Sequence, residues 1–152
     1  MTLENTLRQQ LSDPETGSFH VAFGGWTVTL VAEKRDALSC ALKELTLNNH
    51  APIAEALPAW AARVARQASG LMEPLRVLEV DEPLGKAVLR SQAPTLQGGK
   101  AFYYELLLEG TTRTSASLRR YAGANGEPRE AVTFVLTNDA VVKLATDIVG
   151  AN

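Results

Sequence analysis

Three sets of side chains in this 152-residue sequence are of types that do chemistry: a run of arginines, a knot of carboxylates and two distant histidines. Arg113, Arg119 and Arg120, with Tyr121, make the most basic segment, and Arg90 can join them from another strand. Guanidinium forks match carboxylates and phosphates, so one reading is an anionic ligand or an acidic peptide. The other is a solubilising strand face whose arginines pair with Glu105 or Glu109 on a neighbour.

The carboxylates offer less. Glu79 and Asp81 project from one side of a strand, next to Glu82, but a hard cation needs six or more oxygen ligands or several waters. No further ligands stand nearby, so a solvated strand end is expected. Glu105 and Glu109 share a face roughly 13 Å apart by strand rise, too wide for the paired carboxylates of a glycosidase. His20 and His50 are thirty residues apart, with no partner at metal-ligand spacing and no His-Glu-x-x-His or paired Cys-x-x-Cys pattern. Gly24-Gly25 and Gly98-Gly99 lack the spacing of nucleotide loops, and Ser115 and Ser117 are not in a nucleophile elbow. The expectation is therefore no catalytic residue, no metal site and no cofactor.

Composition narrows the partner classes. Fifteen Lys and Arg face 17 Asp and Glu, a formal charge of -2 spread through the chain, so no region has the basic excess that phosphate-backbone binding uses. Nucleic acid is not an expected partner. With 45% hydrophobic and 21% charged residues the chain reads as one globular domain, residues 1–152. Met1 to Leu11 has no signal-peptide apolar core and no run is long enough to span a membrane, so a cytoplasmic protein without membrane contact is expected. Cys40 is the only cysteine; alternating with Leu38 and Leu42, it reads as a core thiol, compatible with a reducing compartment.

The elements follow from periodicity. Leu3, Leu7 and Leu11 mark a short amphipathic helix capped by Thr2 and closed by Asp13-Pro14. A helix this short must dock on its own domain or on a partner. Phe19 to Phe23 and Trp26 to Leu30 alternate around Gly24-Gly25, a hairpin signal. Residues 37–47 fit strand or helix; strand is favoured, with a change of phase near Lys43-Glu44. Pro58 to Ser69 is a helix with Leu57, Ala61, Val64 and Ala68 inward and Gly70 at its left-handed C-terminal position. Five strands are expected at Leu75–Val80, Lys86–Arg90, Ala101–Glu109, Arg113–Tyr121 and Glu130–Leu136. A last helix follows, capped by Thr137 or Asn138 and ended by Gly150. The fold expected is α+β, an antiparallel sheet of about seven to eight strands in two meanders packed by helices, in the order α-βββ-α-βββββ-α. Trp26 and Trp60 are anchors for an interface or for the core. The Leu3, Leu7, Leu11 stripe is likewise divided between internal docking and oligomer contacts.

This order of elements, from Leu3–Leu11 through Phe19–Leu47, Pro58–Ser69 and the strands from Leu75 to the helix from Asn138, resembles the class I type III secretion chaperones. The resemblance implies a small acidic homodimer that holds an unfolded segment of a secreted protein. The chain departs from that pattern in having more strands after the middle helix, and no functional residue carries across. The function expected is a non-enzymatic, chaperone-like adaptor that binds a protein segment. The alternative is a small-molecule cup lined by Phe102, Tyr104, Leu106 and Phe134 between the sheet and the last helix.

Overall fold

The computed structural model describes residues 2–13 and 17–150, so Pro14, expected to close the first helix, lies outside the described residues. Helix α1 spans Leu3–Leu11, and Thr2 caps it by accepting a hydrogen bond from the Asn5 N–H at 3.1 Å. Strands β1 (Phe19–Phe23) and β2 (Trp26–Arg35) are joined by Gly24 and Gly25, whose φ values of 58° and 85° are those of a tight primed turn. Strand β3, Ser39–Asn49, resolves the ambiguity of its segment, because it finds partners on both sides. Lys43 is skipped between the pairs Val31↔Glu44 and Ala32↔Leu42. That bulge is the expected change of phase, and it lets Leu42 and Leu45 both face inward. Leu38 does not continue the apolar pattern: it is 80% exposed, in a turn where the Asp36 carboxylate accepts from the N–H groups of Leu38 and Ser39.

Helix α2 spans Leu57–Gln67, with Pro58 in its first turn. It ends earlier than the sequence suggests, since Ala68 already has extended geometry, and Gly70 does not take the left-handed conformation. The reason for a glycine there is close approach: a Cβ on Gly70 would meet Ala140 at 3.3 Å. Strands β4 (Leu75–Asp81), β5 (Lys86–Ser91), β6 (Thr95–Gln97), β7 (Lys100–Gly110), β8 (Thr114–Gly123), β9 (Glu130–Val132) and β10 (Phe134–Thr137) follow, and helix α3 (Asn138–Val149) starts at Thr137, which accepts from the Ala140 N–H. The order α-βββ-α-βββββ-α holds in an α+β fold with one antiparallel sheet. Among the described residues there are ten strands rather than seven or eight. Residues 95–97 form a small arm on β7, and the segment from Glu130 is divided at Thr133.

The sheet is open, in the order β1-β2-β3-β8-β7-β5-β4. Strands β3 and β8 pair from Leu45 to Asn49 and then diverge; β9 follows β8 at Arg120 to Ala122, and β10 follows β3 at Ser39 to Leu42. Because β3 and β8 run in opposite directions and each is met antiparallel, the chain must change direction at Thr133. The helices lie on one face, α1 against β1 and α3, and α2 against β4, β5 and α3. Leu3, Leu7 and Leu11 are buried, so this stripe docks inside its own chain. Trp60 is fully buried, its indole N–H donating to the Ile148 carbonyl at 2.9 Å.

Leu7, with no exposed surface, should cost about 2–5 kcal/mol of stability when changed to Ala, independent of protein concentration. Denaturant unfolding at two concentrations checks this; a loss only at low concentration would return the stripe to an oligomer role.

Candidate interaction surface

Adjacent residues on a strand face opposite sides, and β8 applies this rule to its arginines. Arg119 projects from the uncovered face and Arg120 from the helix-covered face, while Arg113 lies before the strand in an exposed turn. The basic run is therefore three separate sites.

On the covered side, the Arg120 guanidinium grips Glu73 with two bonds of 2.8 and 3.0 Å. Ser91 Oγ donates to one Glu73 oxygen at 2.8 Å and Thr95 Oγ1 to the other at 2.7 Å; the Tyr104 N–H then donates to Ser91 Oγ. Arg120 also lies 4.3 Å above the Tyr104 ring, which meets Phe134 edge-on at 5.7 Å. Burial pushes the Glu73 carboxyl up, but the bonds from Arg120, Thr95 and Ser91 outweigh it and hold Glu73 below the usual carboxylate range. Sequence reading passed over Glu73 because it stands in the link between α2 and β4. The signal was parity: two adjacent arginines on a one-sided sheet oblige one to find a buried carboxylate. Tyr104, Leu106 and Phe134, offered for a ligand cup, are buried in the same core, and Phe102 is half-buried at its margin.

On the uncovered side, strand register places Arg119, Glu105, Arg90 and Arg76 in one row across four strands, and Val31 beside Glu44 on the far side of the point where β3 and β8 part. Arg119 pairs with Glu44 rather than with its register partner Glu105. Glu105 is taken from both flanks, by Arg90 at 2.7 Å and by Arg129 at 2.8 and 3.2 Å. Arg129 comes from the turn before β9 and lies 3.8 Å over the Tyr121 ring; Arg90 lies 5.0 Å over Tyr103, and the two tyrosine rings are 6.0 Å apart. Burial raises the Glu105 carboxyl, but the hydrogen bonds from Arg129 and Arg90 outweigh it and keep it ionised to lower pH than usual. The bond to Glu105, with a smaller one to Tyr103, raises Arg129. A shallow cleft of about 270 Å³ lies among Glu105, Leu107, Ser117, Arg119, Tyr121 and Arg129. Of the two arginines that line it, Arg119 is paired with Glu44, and Arg129 shares Glu105 with Arg90.

The remaining candidates sit apart. Trp26 is half-buried on the wall of a cleft of about 470 Å³ near Asn49, Ile53 and the end of α3. Arg63 in that cleft is consumed by Glu55 at 2.7 Å, by Gln67 and by the carbonyls of Asp147 and Ile148, where it caps the negative end of α3. Asp81 accepts from the Leu84 N–H in a turn, as a strand end does. The Cys40 thiol donates to Asn138 Oδ1 at 3.2 Å, and burial pushes it up, away from a reactive thiolate. Among the described residues no three His, Cys, Asp or Glu side chains are grouped to hold a metal ion, and no helix is long and apolar enough to cross a membrane. Comparison with protein-family models, with curated proteins and with solved structures finds no match to this chain.

The lowered Glu73 carboxyl has a definite pH consequence. Its stabilisation is complete above the unfolded value near 4.5 and is lost as pH falls through the lower folded value. Glu73→Gln should flatten that acid limb in pH-dependent unfolding. It should also cost about 3–5 kcal/mol at neutral pH, because Arg120 is left buried without its partner charge.

Proposed function

We propose that this chain is a non-enzymatic interaction domain, a chaperone-like adaptor that holds an extended segment of a partner protein and works as a homodimer. The observation that carries the reading is the stacked set of Tyr103, Tyr121, Arg90 and Arg129 on the uncovered sheet face. Tyr and Arg are the residue types that dominate binding hot spots, and these are held in place by Glu105 before any partner arrives. Side chains already ordered lose little entropy on binding. The Ser, Thr and Leu row beside them, Thr29, Thr46, Ser117 and Leu107, offers a surface of low charge along which an extended segment can lie.

The order of elements resembles that of the secretion chaperones apart from the additional strands after α2, which supports the same reading at the level of architecture alone. The ligand-cup alternative draws less support, because three of its four lining residues pack against one another and their neighbours in the core. A cytoplasmic setting goes with the proposal, in line with a single buried thiol.

The test is capture from native lysate with mass spectrometry, comparing the wild type with a Tyr121→Ala, Arg129→Ala double variant. Proteins held by the wild type should fall at least about tenfold in the variant, the scale of a hot-spot loss above 1.4 kcal/mol. Equal capture by a folded variant would refute the sheet face as the binding surface.

A further inference from the structure

The two edges of the sheet are built differently. Strand β4 is guarded: it carries Arg76, Glu79 and Asp81, and its register slips at Leu78. Charges and bulges of this kind are how edge strands avoid pairing with another chain. Strand β1, Phe-His-Val-Ala-Phe, has neither. It contains no Lys, Arg, Asp, Glu or Pro, and its register with β2 is unbroken from Phe19 to Phe23.

The hydrogen-bond pattern determines what this edge presents. A two-residue turn makes Phe23↔Trp26 a bonded pair, and alternation then makes Val21↔Val28 and Phe19↔Leu30 bonded pairs. The N–H and C=O groups of His20 and Ala22 must therefore point away from β2. Both residues are exposed, and β1 has no strand on its outer side among the described residues.

The geometry points to β1 as a homodimer joint, with a second copy of this chain pairing antiparallel across a twofold axis at Val21. The register is self-consistent. A twofold at Val21 places His20 opposite Ala22 of the second copy, so outward groups meet outward groups in about four ladder hydrogen bonds. Phe19 falls opposite Phe23 of the second copy in a non-bonded pair, the closer kind, where aromatic cross-strand pairs are favourable. Both phenylalanines are only half-buried in the single chain, although they face the core side. Charge does not oppose the joint. Arg35, the last residue of β2, lies 4.2 Å over the Phe19 ring of β1, and the two copies of that ring stand at opposite ends of the twofold, roughly 13 Å apart by strand rise. Small residues finish the fit, since Ser18 comes opposite Gly24, whose Cβ position is open. The two sheets become one continuous sheet with β4 at both outer ends.

This inference names the interface of the homodimer in the proposed adaptor, and it is tested without the adaptor's partner. Sedimentation equilibrium of the wild type should show a mass rising with concentration toward twice the 16.3 kDa monomer. Ala22→Pro removes an outward N–H and crowds the edge while sparing the β2 ladder, and should weaken association at least tenfold. His20→Lys gives a second reading should the proline variant not fold, and Glu79→Lys on β4 should leave association unchanged. A wild type that stays monomeric overturns the joint, as does a dimer that persists in folded Ala22→Pro and His20→Lys. Equal partner capture by the Tyr121→Ala, Arg129→Ala variant, with the dimer intact, counts against the sheet-face proposal alone.

Discussion

Strand β3 is asked to serve three neighbours, and the rest of the sheet is arranged around how it does so. Along one edge it pairs with β2, and along the other it pairs first with β10 and then with β8. A regular strand could not also keep Cys40, Leu42, Leu45 and Leu47 on the core side, because alternation sends Leu42 and Leu45 to opposite faces. Skipping Lys43 reconciles them and adds local twist. Next to that position β3 and β8 part, the turn at Thr133 enters between them, and Phe134 and Leu136 enter the core beneath α3.

The divergence decides where charge is tolerated. On β8, one residue step separates a half-exposed arginine from one buried against Glu73 and the Tyr104 ring. Arg119 reaches Glu44 from a side chain that is half in water, where solvent screening keeps the contribution of an ion pair small. Arg120 and Glu73 are removed from water and persist because every carboxylate oxygen is hydrogen-bonded, by Arg120, Ser91 and Thr95. The same pair ties the α2–β4 link and the β6 arm to the sheet, a polar tie that in the link adds to the burial of Ala68 and Leu71.

Much of the layout was legible. The glycine pair at residues 24–25, the Leu3, Leu7, Leu11 stripe and the alternation of Phe102 to Glu109 each report local geometry, and each became the element they indicate. The phase change at Lys43 was legible too, since a period of two cannot otherwise join Leu42 to Leu45. Leu38 misled because an apolar residue in phase with a strand looks the same whether the strand has started or not; the Asp36 turn begins the strand one residue later. Gly70 misled because a glycine can serve φ or close approach, and only the position of Ala140 distinguishes them. The surface set was partly legible: Tyr121 and Arg90 stood out, but Arg129 came from a turn that no periodicity reaches.

The amino-acid sequence by itself determined the kind and order of the elements and which face of each is apolar, because those depend on side chains two to four residues apart. It also carried the absence of charge from β1, which is a matter of composition. Tertiary structure alone decided which arginine meets which carboxylate and that the divided strand enters the fork between β3 and β8. Those outcomes depend on contacts between residues tens of positions apart, such as Arg120 with Glu73 and Trp60 with Ile148, whose partners are selected by packing and desolvation rather than by local pattern.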